Sequence, residues 1–431
     1  MIRYRSTRGA RGDASFSEAI VRGLAPDRGL YVPSAWPSLN AVSIPNAPLS
    51  AAAAAVLRPF LASDALEPFL EPIVAKAFDF PAPLKSLESR NRLSVLELFH
   101  GPTAAFKDFG ARFLAACLTR FPERSQRLCI LVATSGDTGG AVAAAFHNTP
   151  GVDVVVLYPE GRVSPLQEQQ LTCWGDNVRA FAVRGSFDDC QRLVKAAFES
   201  AEIARHRSLS SANSINLGRL LPQMTYFAAA SLSVWRQAGE RASFIVPSGN
   251  LGHATACIWA KHVGLPIGRI VLAHNANRTF PDFLDSGVWT PSASLTTPAS
   301  AMDVGDPSNA ERLRDLFPNI ESLRTALSAA SVESEAIAPR IRGDFERYGE
   351  VWCPHTAVAA EAYARLSERE RAESRWVLVA TAHPAKFREI VEPAIGQSVA
   401  LPDSLAAIMA LPSKREQLPA DVETLASVLM R

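Results

Sequence analysis

Apolar residues in this chain follow two rhythms. Short unbroken runs rich in Val, Ile and Leu alternate with longer stretches of mixed character, and turns rich in Gly, Ser, Thr and Asp lie between them. The segment LCILVATSGDTGGAVAAAF shows the unit: Leu128–Ala133 predicts a strand buried on both faces, 134–140 a turn, and the Ala-rich stretch from Ala141 a helix. VDVVVLYPEG predicts a second buried strand over 152–158, NVRAFAV a third, and FDDCQRLVKAAFES a helix capped by Ser186. ASFIVPSGNLGHATACIWAKHVG repeats strand, glycine turn and helix over 242–264, and GRIVLAHN and RWVLVATAHPAKF add two more apolar strands. Unbroken apolar strands alternating with helices predict the α/β class, with a parallel sheet covered on both faces. Such sheets bind ligands at the carboxyl ends of their strands, so the turns that follow strands belong to the expected functional rim.

The chain has 431 residues, which at ~100–200 residues per domain predicts two or three domains. Residues 1–94 break the rhythm with extra Pro and Ala and are expected to form a mainly helical N-terminal subdomain, in which Ala51 to Ala55 lie on an ordinary helix. Residues 95–235 are expected to form a smaller α/β domain with a substrate loop, and 236–431 a larger one with a phosphate loop and a short helical tail. The polar, turn-rich stretch 291–309 predicts a long functional loop.

Charge removes several classes of function. Lys plus Arg number 44 and Asp plus Glu 43, without a basic cluster, so neither nucleic acid nor an anionic membrane is an expected partner. No apolar stretch approaches the ~20 residues that span a bilayer. The N-terminus lacks the apolar segment of a secretory signal, and Asp13 and Glu18 argue against a transit peptide. Cys117, Cys129, Cys173, Cys190, Cys257 and Cys353 are scattered without a CxxC, which fits reduced thiols in the cytoplasm.

Four stretches could carry chemistry. In LFHGPTAAFKDFG, Lys107 stands between Phe106 and Phe109. A lysine there either lays its stem on apolar surface with its amine in water, or is walled in. Burial lowers a lysine's proton affinity and makes a Schiff-base former, for which pyridoxal phosphate is a common partner. Context alone leaves both readings open. SGNLG, from Ser248 to Gly252, follows a strand and opens a helix, where backbone N–H groups can converge on a phosphate or simply turn the chain. Thr134, Ser135, Gly136, Asp137, Thr138 and Gly139 can hold a carboxylate or only cap a helix. Ser214, Asn216 and Arg219 head a further helix, and Arg219 is either an anion fork or a solvated arginine. His253 and Cys257 share a helix face, but without HExxH or a matching pair no metal is expected. GxSxG, P-loop and GxGxxG signatures are missing.

Taken together these stretches resemble the threonine synthase family. LELFHGPTAAFKDFG is similar to the family's cofactor-lysine segment, and ATSGDTGGAVAAAF, VVLYPEGRVSPLQEQQ, NSINLGRLLPQMTYF, VPSGNLG, AMDVGDPSN, PHTAVA and TAHPAKF follow in the family's order. The resemblance runs from YRSTRG near residue 4 to about Leu411. It implies a fold type II pyridoxal 5'-phosphate enzyme, like the tryptophan synthase β chain. The implied reaction converts O-phospho-L-homoserine and water to L-threonine and phosphate by γ-elimination and β-addition, ending threonine biosynthesis. By resemblance, Lys107 is the lysine that carries the cofactor. Ser248, Gly249, Asn250, Leu251, Gly252 and His253 form the loop around its phosphate, and Thr381 places a hydroxyl near its pyridine nitrogen. Ser135, Gly136, Asp137 and Thr138 face the substrate carboxylate, with Ser214, Asn216, Arg219 and Lys386 as candidates for the leaving phosphate and Phe106 and Phe109 as barriers to water. Two positions depart from the family pattern. His253 stands where many relatives carry an acidic residue, and Cys353 does likewise and is assigned no role. A cytoplasmic monomer is expected. The rival readings are a serine or threonine dehydratase, a phospholyase, or a catalytically silent relative that binds a ligand.

Overall fold

Every side chain of LCILVA and of ASFIVP is buried, as unbroken apolar runs require. A computed structural model describes residues 2–87, 92–121, 127–134 and 136–430. Ser135 lies outside the described residues. In chain order the strands are β1 (Tyr4–Ser6), β2 (Tyr31–Pro33), β3 (Leu84–Ser86), β4 (Leu93–Glu97), β5 (Leu128–Ala133), β6 (Val152–Pro159), β7 (Val178–Arg184), β8 (Ser208–Ser210), β9 (Ala242–Pro247), β10 (Ile267–His274), β11 (Ser328–Ser331), β12 (Arg375–Ala380) and β13 (Glu416–Pro419). They form a six-stranded sheet ordered β11-β10-β9-β12-β4-β3, a five-stranded sheet ordered β13-β7-β6-β5-β8, and the ribbon β1-β2. The five-stranded sheet is parallel throughout, and in the six-stranded sheet only β3 runs antiparallel to its neighbour.

The helices that follow strands carry the site. The turn after β5 opens the helix Asp137–Phe146, four residues earlier than the Ala-rich run predicts, because Asp137 suits a first turn where backbone N–H groups are free. β9 leads to the helix Gly252–His262, and the segment after β4 leads to the helix Lys107–Leu118. Ser186 caps the helix Phe187–Glu199 through a reciprocal capping box with Asp189. Residues 291–309 contain one short turn of helix, Ser300–Met302, and otherwise run as irregular backbone.

Two expected boundaries differ from the sheets. A limit after residue 94 cuts β4, which pairs with β12 far along the chain. The expected helical tail has helices at Asp403–Met409 and Val422–Leu429, but between them β13 joins β7 at the edge of the smaller sheet. Leu418 is the one buried residue of β13, and so short a segment shows no period by itself. All six cysteines are buried and unpaired. Among the described residues no helix is long and apolar enough to cross a membrane.

Candidate active site

Lys107 is held in place by stitching between two distant segments. Phe106 N–H donates to Thr381 O at 2.8 Å, His383 N–H donates to Ala104 O at 3.0 Å, and Ala105 bridges Ala382. The segment after β4 is thereby fastened to the segment after β12, and Lys107 begins its helix at the seam. Its side chain is 13 % exposed, with Nζ 3.6 Å from Asp137 Oδ2 and 5.6 Å from the Phe106 ring centre. The walled-in reading therefore holds and the solvated one does not. Burial pushes the Lys107 amine down from the ordinary lysine value; Asp137 opposes this, while Lys386 and Arg219 add to it. Phe106 lines the cleft. Phe109, expected beside it, instead packs with Phe78, Phe80 and Tyr226 in the core. The two differ because a helix advances about 100° per residue, so Phe109 stands about 200° round from Lys107.

Facing the lysine is the turn after β9. Ser248 Oγ donates to Val246 O at 2.8 Å, and Leu251 takes a left-handed φ of 60° that turns the chain into the helix starting at Gly252. Asn250 is clamped on both sides: its Nδ2 donates to Ser214 Oγ at 3.0 Å, and its Oδ1 accepts Ser308 N–H at 2.6 Å. A side chain at Gly249 would bring its Cβ within 2.7 Å of Met302 Cα, so the turn lies flat against residues 300–302. Free N–H groups at a helix N-terminus, approached by a glycine, make a cradle for a phosphate group. His253 Nδ1 lies 2.8 Å from Tyr226 Oη and 3.3 Å from Gln223 Oε1, and burial pushes its imidazole down to about 3. It is a neutral ring at working pH.

Asp137 lies between two amines. Its Oδ2 faces Lys107, and its Oδ1 takes Lys386 Nζ at 2.9 Å and Gln167 Nε2 at 3.0 Å. Burial works to raise the carboxyl, but Lys386 first and Lys107 next hold it well below the usual range, so it is an anion. Arg219 is buried, not solvated. It donates to Ala212 O, its Nη2 lies 3.5 Å from Lys107 O, and burial pushes the guanidinium down to about 10.

Of the residues singled out by sequence, Lys107, Asp137, Thr138, Ser214, Arg219, Ser248 to His253 and Thr381 line one cleft. Besides Phe109, the candidates Gly136, Asn216 and Lys386 do not reach its wall. Gly136 sits behind it with φ 141°, beside Gln167. Asn216 caps a helix and donates to Ile20 O and Ser211 O at 2.9 and 2.8 Å. Lys386 is sealed behind Asp137. The cleft also includes residues that sequence reasoning did not single out: Gln223, Asp303 and His355. All three lie inside stretches quoted above, yet nothing in their spacing marks them. His355 Nε2 accepts Ala301 N–H at 3.0 Å, and burial pushes the ring down to about 4. Burial pushes the Asp303 carboxyl up to about 6. Among the described residues Arg219 Nε, His253 Nε2 and His355 Nδ1 have no hydrogen-bond partner, and buried polar atoms of that kind suit a polar ligand. No group of three or more His, Cys, Asp or Glu able to hold a metal occurs among the described residues. A shielded amine opposite a phosphate cradle therefore fits pyridoxal phosphate.

Comparison with known proteins agrees with this geometry. Residues 80–382 match the family described as pyridoxal-phosphate dependent enzyme, residues 3–78 the threonine synthase N terminus, and residues 356–429 the threonine synthase C-terminal family. The threonine synthase of Escherichia coli strain K12 is 40% identical over 419 residues, covering 96% of each chain. The crystal structure of the Escherichia coli threonine synthase superposes with a TM-score of 0.91 at 39% identity over 99% of both chains. The pyridoxal-phosphate-bound threonine synthase from Brucella melitensis gives a TM-score of 0.92 at 33% identity, over 100% of this chain and 99% of that one.

Proposed function

The chain belongs to the threonine synthase family of pyridoxal-phosphate-dependent lyases, and on that premise we propose that it converts O-phospho-L-homoserine and water to L-threonine and phosphate. When bound, pyridoxal phosphate supplies an electron sink beside the substrate's amino-bearing carbon. The chain's own groups do the rest. The Lys107 amine would hold the cofactor between turnovers and, once free, would carry protons at the substrate's Cα and then Cβ. Phe106 shields it, which keeps its bond to the cofactor from hydrolysis. The backbone N–H groups from Ser248 to His253 hold the cofactor phosphate at the helix N-terminus. Thr381, which lines the cleft, would offer the pyridine nitrogen a neutral hydroxyl rather than a counter-charge, which would moderate the sink.

The substrate's two anionic ends need separate grips. Thr138 and the backbone at 137–138 take the carboxylate, while the Asp137 side chain is already committed to the two lysines. Arg219 and Ser214, which line the same cleft, take the departing phosphate. We further take the enzyme to act as a cytoplasmic monomer on a small-molecule substrate, without nucleic acid or membrane. Sedimentation at about the chain mass of 46.4 kDa is the expected result, and a stable dimer would correct it.

The observation that carries the reading is the shielded Lys107 amine, 3.6 Å from Asp137 and across the cleft from the 248–252 turn. The test is product analysis of purified protein given phosphohomoserine or threonine. Threonine and phosphate in equal amounts from phosphohomoserine, with no oxo acid from threonine, are expected. Ammonia and an oxo acid would instead assign a dehydratase or a phospholyase.

A further inference from the structure

Lys386 is a charged side chain without solvent exposure, and it does not reach the cleft. Its Nζ lies 2.9 Å from Asp137 Oδ1 and donates to Thr103 O at 2.8 Å. The same Asp137 carboxylate faces Lys107 Nζ at the longer distance of 3.6 Å. One anion thus stands between two amines and is bound more closely by the one that cannot touch substrate. The residue sits on the Pro384–Phe387 turn, next to the stitches that fasten Ala104–Phe106 to the segment after β12, so the arrangement is built into the seam that positions Lys107.

The charged and titratable groups around Lys107 come from every element packed against it. They are Asp137 at the turn after β5, Lys386 after β12, Arg219, His253 and His355. Asp108, next in sequence, turns away and accepts Thr103 N–H and Oγ1 at 2.9 and 2.6 Å. The two histidines are neutral by burial, so the charges that decide the state of Lys107 are Asp137, Lys386 and Arg219.

We propose that Lys386 is a positioning residue that occupies Asp137, so that the Asp137 carboxylate does not by itself hold Lys107 as an ammonium ion, and the Lys107 amine is free at lower pH than it would be without Lys386. Seen from Lys107, the Asp137–Lys386 pair is close to a neutral unit. Without Lys386 the carboxylate has Lys107 as its remaining cationic partner, and the amine needed for cofactor uptake and for proton transfer is held protonated to higher pH. The benefit to catalysis rests on the threonine synthase reading above; the ionisation itself does not.

The test reads that ionisation without turnover. The full-length chain, stripped of cofactor, is labelled with trace acetic anhydride from pH 5 to 10, and acetylation of Lys107 is followed by mass spectrometry. In Lys386→Met the midpoint is expected to rise by about one pH unit or more, a loss of about tenfold in free amine at a given pH, whereas Lys386→Arg keeps the parent midpoint. An unchanged midpoint in folded Lys386→Met overturns the proposal. Should Lys386→Met fail to fold, the double variant Asp137→Asn, Lys386→Met removes both members of the buried ion pair and decides the matter. Its midpoint is expected within about half a unit of the parent, and a fall of about a unit or more would show that Asp137 serves Lys107 alone. Because labelling needs no cofactor, a chain that formed no threonine would still answer the question.

Discussion

Gly249 shows how tightly single residues are specified at this site. A Cβ there meets Met302 Cα at 2.7 Å, and backbone cannot swing aside as a side-chain tip does. Gly249→Ala must therefore lift the 248–252 turn off residues 300–302 and spoil the convergence of its N–H groups. Overpacking of this kind costs about 1–3 kcal/mol, so pyridoxal phosphate affinity is expected to fall about tenfold or more, as measured by fluorescence titration. The need for glycine was legible from SGNLG following a strand, since the motif states a backbone geometry. The need for His355 and Gln223 was not legible. Each reaches the cleft through tertiary packing, and a histidine after a proline or a glutamine in a helical stretch has no local mark. Lys386 was legible as a charged residue in a motif, but its direction was not. Only the fold turns it toward Asp137 rather than toward substrate.

At the scale of elements, apolar runs gave β5, β6, β7, β9, β10 and β12 away, because a strand buried on both faces keeps charged positions such as Asp153, Arg179 and Arg269 near its ends. Capping chemistry was equally readable at Ser186. β13 was hidden because a four-residue strand with one buried residue has no periodicity, and its pairing with β7 bridges more than half the chain. The C-terminal segment is nonetheless integral. Leu418, Leu425 and Leu429 pack with Cys190 and Leu193 in one buried cluster. Leu425→Ala is expected to destabilise the fold by about 2–5 kcal/mol, seen as a lower urea midpoint. A midpoint equal to the parent's would mean that the tail is not part of the cooperative unit.

At the scale of the whole molecule, the site is a seam. Lys107, Ser248 and Thr381 follow strands of the six-stranded sheet, whereas Asp137 follows a strand of the five-stranded one. Strand order along the chain predicts an α/β fold, but which strands share a sheet depends on distant pairings such as β4 with β12, and local pattern carries no record of these. Buried histidines set the acid response. Burial pushes His253 and His274 down to about 3 and His355 to about 4, from an ordinary value of 6.5. The unfolded chain therefore binds more protons than the folded one below about pH 6.5, and stability falls as pH drops, by about 1 kcal/mol per histidine for each pH unit. Asp137, whose carboxyl is depressed, adds stability that is lost only at still lower pH. Urea midpoints measured between pH 7.5 and 4.5 are expected to fall steeply, and a flat profile would contradict neutral buried rings.

The central claim is that one shielded amine, that of Lys107, carries the cofactor. Borohydride reduction of the purified protein followed by peptide mapping tests it most directly. A single pyridoxyl group on Lys107 is the predicted result; modification of another lysine, or of none, would contradict it.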